Sequence, residues 1–540
     1  MYVLKNDLYC KINKFSKIFI YGAGNYANKA YVLLKNVGLK ERIVSFVVTE
    51  LGEQHDIDGI LIRSVNELNA LYEKESVVLV AVSEAYEDMI VQNLQNVMQS
   101  VYIIKLTEYT LQNDDFHEML KKQSDEEFIQ NVVGGYLWDN LDSAQEFNKE
   151  IDNCVVQRNE KNIDKNTIVY ISGHLNPRSE KIIGSLVKKK YNIVVLEYGY
   201  GTINELVRAE IMSCSTDFFY CKDTAEVYYR ALQYQPLVYY FEPEWGDCII
   251  PEIMIRHKKL FGKIVFAAYD LMNDGYVQVS EKDNLKERYC LENADGIVWR
   301  WFSKEYLEEK KGFVYKGKSI QLLDYCKGFN IDGKRRPDDK LKLCFVTGGI
   351  YELLNEMDAI EDAPYAEPAQ ISAILRRIGN NKDCIFHIFV GSCSESDRKK
   401  LEELEKKYAG FKVFYGTKYN ELIFRISGYD YGCFLMTGGK NIPEEESIDN
   451  LHYGSSYINS IANRYFDYLD ANIPIIGTLP KKQCDYLDEY GVVVKMNLPD
   501  LDIEYLKKNK FVYKQNVEKI KDQMLMDNHI QRLIDWFYVL

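Results

Sequence analysis

Short apolar runs alternate with longer mixed stretches along the whole chain. KIFIY at 17–21, IVSFVV at 43–48, SVVLVAV at 76–82 and VYII at 101–104 open the series. Runs that are continuous rather than alternating suit strands buried on both faces. Between them lie stretches with helical spacing, beginning with residues 25–35 directly after the first strand. The pattern predicts parallel strands wrapped by helices. The first four strands make one unit that closes near residue 115.

A second series starts at TIVYISG (167–173). It continues through NIVVLEYG (192–199), DFFYC (217–221), PLVYYFEP (236–243), KIVFAAYD (263–270), GIVWR (296–300) and a short last run, SIQLLDY (319–325). A third series runs LKLCFVTGG (341–349), CIFHIFVG (384–391), FKVFYG (411–416), YDYGCFLM (429–436), IPIIG (473–477) and GVVVKM (491–496). No short period repeats; a whole Rossmann-like unit recurs three times. The expected layout is an α/β chain with a first unit at 1–115 and a polar helical connector at 116–165. Two further units follow at 166–335 and 340–515, with a helical tail at 516–540. The basic stretch GKRRPDDK at 333–340, with Pro337 inside it, reads as the linker between the last two units.

Charge and cysteine usage narrow the setting. With 67 basic and 81 acidic residues the formal charge is -14, which disfavours a nucleic-acid partner. No run approaches the length of a membrane-spanning helix, and the opening MYVLKNDLYCKINKF lacks the apolar core of a signal peptide. The twelve cysteines form no C-x-x-C pair and read as free thiols of a reducing compartment. A cytoplasmic protein is expected, reaching the inner membrane surface only peripherally. No metal is expected: histidines show no ligand spacing, and the D-x-D triplets at 56–58 and 500–502 fall away from a metal–diphosphate position.

Ligands of open parallel sheets bind beyond the carboxyl ends of the strands, where glycine turns and helix starts accept phosphate. Gly22 and Gly24, with Ala27, satisfy G-x-G-x-x-A after the first strand, and Glu50 follows the second. This is either a nucleotide site or a tight turn. His174, in GHLNPR at 173–178, stands at the mouth of the second sheet. It reads as a general base or as a hydrogen-bonded loop residue. Gly348 and Gly349 follow the first strand of the third unit, either where a diphosphate would meet backbone amides or as plain turn glycines. Arg464 and Asp467 are three residues apart on a predicted helix and share one face. Arginine grips phosphate in two-pronged fashion, and a carboxylate accepts from adjacent hydroxyls. The alternative is a solvent-facing helix pair.

The stretch NRYFDYLDANIPIIG at 463–477 resembles the N-K-x-F-E-Y-L-A-A-G-x-P-V-I segment of two-lobed (GT-B) glycosyltransferases of family 4. Strand order extends the resemblance over residues 166–540; YDLMNDG (269–275), ENADGIVWRWFSKEYLEE (292–309) and FKVFYGTKYNELIFRISGYDYGCFLM (411–436) are similar to lobe segments of that family. It implies that the last two units form the two lobes, acceptor first and nucleotide-sugar donor second, with the tail helix crossing back to the first. It also implies donor contacts at Gly348, Gly349, Gly416, Thr417, Lys418, Arg464 and Asp467. His174 and Asp270 would then be the catalytic residues beside the acceptor. The nucleotide-sugar would be a co-substrate, with no cofactor or metal. The acceptor would be a glycan, a lipid-linked glycan or a protein, as in bacterial-type surface glycan assembly.

The first unit, through GAGNYA and DGILI (58–62), resembles small Rossmann-like domains found beside sugar-modifying enzymes; its role is open between binding a ligand, docking a partner and forming a homo-oligomer. The chain departs from the family at Arg464 for lysine, Asp467 for glutamate and Asn472 for glycine. The last two leave open a catalytically inactive scaffold. The turn at 22–27 leaves open an NAD-dependent sugar-modifying enzyme.

Overall fold

A computed structural model gives the fold. It describes residues 11–109, 118–129, 163–199, 205–243, 248–269, 280–331, 339–350, 367–434, 460–477, 481–496 and 501–540, except 37, 53–54, 99, 222, 302 and 379–380, together with 8, 132 and 272. The linker at 332–338, most of the connector and the candidate residue Asp270 lie outside the described residues. The chain divides into two compact units: residues 1–161 with 223–233, and residues 162–222 with 234–540.

The first unit holds β1 (Lys17–Tyr21), β2 (Ile43–Val48), β3 (Asp56–Ile57), β4 (Ile60–Ser64), β5 (Ser76–Val80) and β6 (Ile103–Lys105), ordered β3-β4-β2-β1-β5-β6. The strands are parallel except for the β3–β4 hairpin. Four strands are expected from the sequence; the hairpin adds two. One arm has two residues, and the other, ILIRS, ends on polar positions, so neither registers as a continuous apolar run. Its turn is made by Asp58 and Gly59, both at positive φ, the conformation that two-residue hairpin loops demand. The hydroxyl of Tyr31 and the ammonium groups of Lys35 and Lys40 converge on the Asp58 carboxylate and pin that turn.

The second unit carries two parallel sheets. One contains β7 (Asp164–Ser172), β8 (Asn192–Glu197), β9 (Asp217–Tyr220), β10 (Pro236–Glu242), β11 (Ile264–Ala268), β12 (Gly296–Trp299) and β13 (Lys318–Gln321), ordered β13-β12-β11-β10-β7-β8-β9. The other contains β14 (Leu341–Ile350), β15 (Cys384–Cys393), β16 (Phe411–Tyr415), β17 (Tyr431–Cys433), β18 (Ile475–Gly477) and β19 (Val493–Lys495), ordered β16-β15-β14-β17-β18-β19. The chain is therefore α/β with three parallel-sheet units, and each first strand (β1, β7, β14) lies inside its sheet, with the next strand in the chain on one side and a later strand on the other. That is a topological switch point, where open sheets leave a crevice at the strand ends. All seven residues of β10 are buried, and Tyr170 stacks on Tyr240 across the β7–β10 pair with centroids 5.0 Å apart.

One expectation fails in β14. Gly348 and Gly349 do not follow the strand as a turn; they lie within it, and Gly349 pairs with Ser392 of β15. The close approach of the two strands explains the glycine opposite, in β15. A Cβ on Gly391 would lie 2.5 Å from the carbonyl oxygen of Gly348.

Six helices matter below: α1 (Asn25–Asn36), α2 (Pro177–Lys188), α3 (Tyr419–Ile426), α4 (Asn463–Asp470), α5 (Ile503–Ile520) and α6 (Met526–Val539). In the α5 region the chain serves the third sheet, where Tyr431 donates to the Leu506 carbonyl. It then turns at Cys326, whose amide donates to Met524 O at 2.7 Å and whose carbonyl accepts from Met526 N at 2.8 Å. Finally α6 packs on the second sheet's side. Ser185 of α2 donates to Asp527 at 2.6 Å, and Phe537 meets the Tyr240 ring edge-on.

Candidate functional site

The second unit contains a cavity of about 770 Å³, within the roughly 300–1,000 Å³ common for small-ligand sites. It opens at the carboxyl ends of the third sheet's strands. Thr347 and Gly348 of β14, Gly391 of β15, and Thr417 and Lys418 beyond β16 contribute from one side. Pro177, Glu180, Leu206 and Arg300 contribute from the second sheet's side. The start of α4 closes it with Ser460, Ala462, Asn463, Arg464 and Asp467.

Helix α4 is fixed along its whole length, which is what aims its first turn. The Tyr465 hydroxyl donates to Gln483 at 2.7 Å. The Tyr468 hydroxyl accepts from Val346 N at 3.0 Å and donates to Cys433 O at 2.9 Å. The buried Asp470 carboxylate accepts from the amides of Lys327 and Gly328 at 2.6 and 2.8 Å. Burial raises the pKa of Asp470, and Lys181 and these two amides oppose the rise. The residue before the helix, Ala462, has no side chain that caps the first amides. A helix start without such a cap turns its amide donors and positive dipole end toward the cavity.

Arg464 and Asp467, predicted to share a face, both line the cavity. The Arg464 guanidinium lies 5.1 Å over the Phe345 ring. Asp467 is 7% exposed. Its Oδ1 accepts from Lys181 at 3.3 Å and from the Tyr419 hydroxyl at 2.7 Å. Gly348, Thr417 and Lys418 line the same cavity, with Gly349 and Gly416 each one residue outside the lining. Gly416 has a φ of +58° and follows β16 directly. His174 is half-buried and outside the lining; its backbone amide and carbonyl are both bonded to the Ser172 hydroxyl.

The third departure, Asn472, has a backbone reason. It sits just past α4 with φ at +56°, the left-handed conformation in which helices end on glycine or asparagine. Its side-chain amide also donates to Glu518 at 2.9 Å. Asparagine does here what a glycine would.

The sequence points to Arg464 and Lys418 but not to the cations on the second sheet's side. In α2, Arg178, Glu180 and Lys181 are all buried. Lys181 Nζ donates to Asp324 O, Asn463 Oδ1 and Asp467 Oδ1. Burial works against its charge; the carboxylates of Asp467 and Asp470 outweigh that, and its pKa is raised. Lys327 pairs with Glu180 and donates to Asn420 at 3.1 Å. Arg300 lies at the cavity wall with its guanidinium 4.0 Å over the Tyr269 ring. The available signal was PRSEK following Asn176: an N-cap asparagine and a first-turn proline place that charged run at the end of β7, where a crevice lies.

In the first unit, Gly22 has φ at +121°, and a Cβ there would lie 2.7 Å from the Ala81 carbonyl oxygen. Packing against the residue that follows β5 by itself requires this glycine. Gly24 has open space around it, and Glu50 is exposed. Among the described residues there is no acidic, histidine or cysteine group that could hold a metal ion, and no helix is long and apolar enough to cross a membrane.

No protein-family model and no curated protein matches the chain. Solved structures resemble it at low identity. Anabaena HepE in complex with UDP and glucose is 11% identical, with a TM-score of 0.46 over 69% of this chain and 100% of that one. MurG from Acinetobacter baumannii is 8% identical, with a TM-score of 0.35 over 69% and 99%. TarM is 9% identical, with a TM-score of 0.35 over 97% and 98%.

Proposed function

We propose that the protein is a glycosyltransferase that moves a sugar from a nucleoside-diphosphate sugar to a glycan, lipid-linked or protein acceptor. The observation that carries this reading is the convergence of Arg464, Asp467, Thr417, Lys418 and Gly348 on one cavity at the third sheet's switch point. The start of α4 and Arg464 provide amide donors and a guanidinium for a diphosphate. Asp467 provides a carboxylate for ribose hydroxyls, and Thr417 and Lys418 flank the base. On transfer the anomeric carbon–diphosphate bond breaks, an acceptor hydroxyl oxygen bonds the sugar and gives up its proton to the departing diphosphate, and these donors hold the departing charge. The proposal needs no metal or redox cofactor. Arg300 and the start of α2 face the acceptor side. His174 is left as a loop residue bonded through its backbone.

Calorimetric titration with UDP and GDP tests the proposal. One of them should bind, and Arg464→Ala should weaken it roughly 10- to 100-fold, the equivalent of a charge-assisted hydrogen bond. Failure of both to bind at millimolar concentration, or an unchanged affinity in Arg464→Ala, would sink it.

A further inference from the structure

Asp467 is anchored from the opposite side of the cavity. Lys181 lies on α2, behind the second sheet's first strand, and its side chain is fully buried. Its three acceptors, Asp324 O at 3.1 Å, Asn463 Oδ1 at 2.9 Å and Asp467 Oδ1 at 3.3 Å, use all three ammonium protons. The Tyr419 hydroxyl reaches the same Oδ1 at 2.7 Å, and the Lys181 ammonium sits 5.6 Å over the Tyr419 ring. Asp467 Oδ2 takes no hydrogen bond among the described residues. The carboxylate is thus held in one orientation through one oxygen, while the residue still lines the cavity.

We propose that Lys181, with Tyr419, is a positioning residue for nucleoside recognition: it fixes one oxygen of Asp467 so that the other meets a ribose hydroxyl. The inference rests on the donor reading above. Its consequence is that a lysine on the acceptor side sets how strongly the donor side prefers ribose to deoxyribose. An aspartate is one methylene shorter than the glutamate of the resembling segment. A firmly held carboxylate offsets that lost reach by preorganisation.

The test compares UDP and GDP with their 2′-deoxy and 3′-deoxy forms, by calorimetry, on the full chain. Wild type should favour the ribose form at least tenfold over one deoxy form. In Lys181→Met that ratio should fall to about twofold or less, with Lys181→Arg recovering part of it, while affinity for inorganic pyrophosphate stays unchanged. A merely structural role would not separate these ligands. A folded Lys181→Met protein that keeps the wild-type ratio overturns the inference and leaves the donor reading standing. If Lys181→Met does not fold, Tyr419→Phe removes only the second anchor, and an unchanged ratio there overturns the inference equally. Equal binding of ribose and deoxyribose forms by wild type overturns the role of Asp467 itself.

Discussion

The guanidinium of Arg178 and the carboxylate of Asp324 meet at 3.1 Å although 146 residues separate them, and both side chains are 1% exposed. Arg178 also donates to Leu322 O and ion-pairs with Glu242 at 3.5 Å. Glu242 in turn accepts from Ser179 at 3.0 Å and from Tyr170. Two guanidinium groups lie over the Tyr269 ring, Arg178 at 5.0 Å and Arg300 at 4.0 Å from its centroid. Burial disfavours the charge on Arg178, but Asp324 and its other acidic neighbours keep it protonated. The network joins α2, the end of β10 and the segment after β13, and so fixes the helix that carries Lys181.

Removing one member of such a pair leaves a buried charge without its counterion. Asp324→Ala should therefore destabilise the second unit by about 3–5 kcal/mol, read as a lowered urea midpoint. A loss of less than about 1 kcal/mol would mean that water or Glu242 compensates Arg178 without Asp324.

Gly432 offers a packing test. A Cβ there would sit 2.4 Å from the Tyr468 ring, and that ring is held by hydrogen bonds to Val346 N and Cys433 O. Gly432→Ala should cost about 1–3 kcal/mol through overpacking. Gly348→Ala is the control, since nothing lies within 4 Å of its added carbon; its thermal midpoint should match wild type.

His387 makes stability pH-dependent. Burial first, then the charges of Lys412 and Lys342, lower its pKa from 6.5 to about 4. The unfolded chain binds this proton at higher pH than the folded one does. Its contribution is therefore fully present above pH 6.5 and is lost as pH falls toward about 4. In His387→Gln the urea midpoint should fall less steeply over that window than in wild type. Parallel pH profiles for the two proteins would refute the assignment.

Asn472 tests the helix end. Asn472→Ala places a β-carbon in the left-handed conformation at φ +56° and should cost about 1–2 kcal/mol. Asn472→Gly keeps the conformation and loses only the bond to Glu518, so its chemical-denaturation midpoint should lie much closer to wild type.

The strands were legible because strands covered on both faces must be apolar without interruption, as in SVVLV of β5 and PLVYYFE of β10. The β3–β4 hairpin was not, because one arm has two residues and the other, ILIRS, ends on polar positions. The spacing of Arg464 and Asp467 placed both on the cavity, since three residues on a helix fix a shared face whatever surrounds it. Partners were not legible. PRSEK looks locally like a solvated charged turn. Its burial depends on Asp324 and Asp467, which lie 146 and 286 residues along the chain from Arg178 and Lys181. The exit of β14 was not legible for a related reason: the strand continues through Gly348 and Gly349 because it pairs there with β15.

Helix α6 has a consequence for biosynthesis. Ile530, Leu533, Ile534 and Phe537 belong to the same core as Tyr170, Ile182 and Tyr240. A ribosome delivers β7 and α2 long before it delivers these residues, so the nascent second sheet keeps an uncovered apolar face while the whole third sheet is being made. Loop closure over so many residues also slows the final docking. The emerging chain is most vulnerable to aggregation during this interval, and a stop codon ahead of α6 would make that vulnerability permanent.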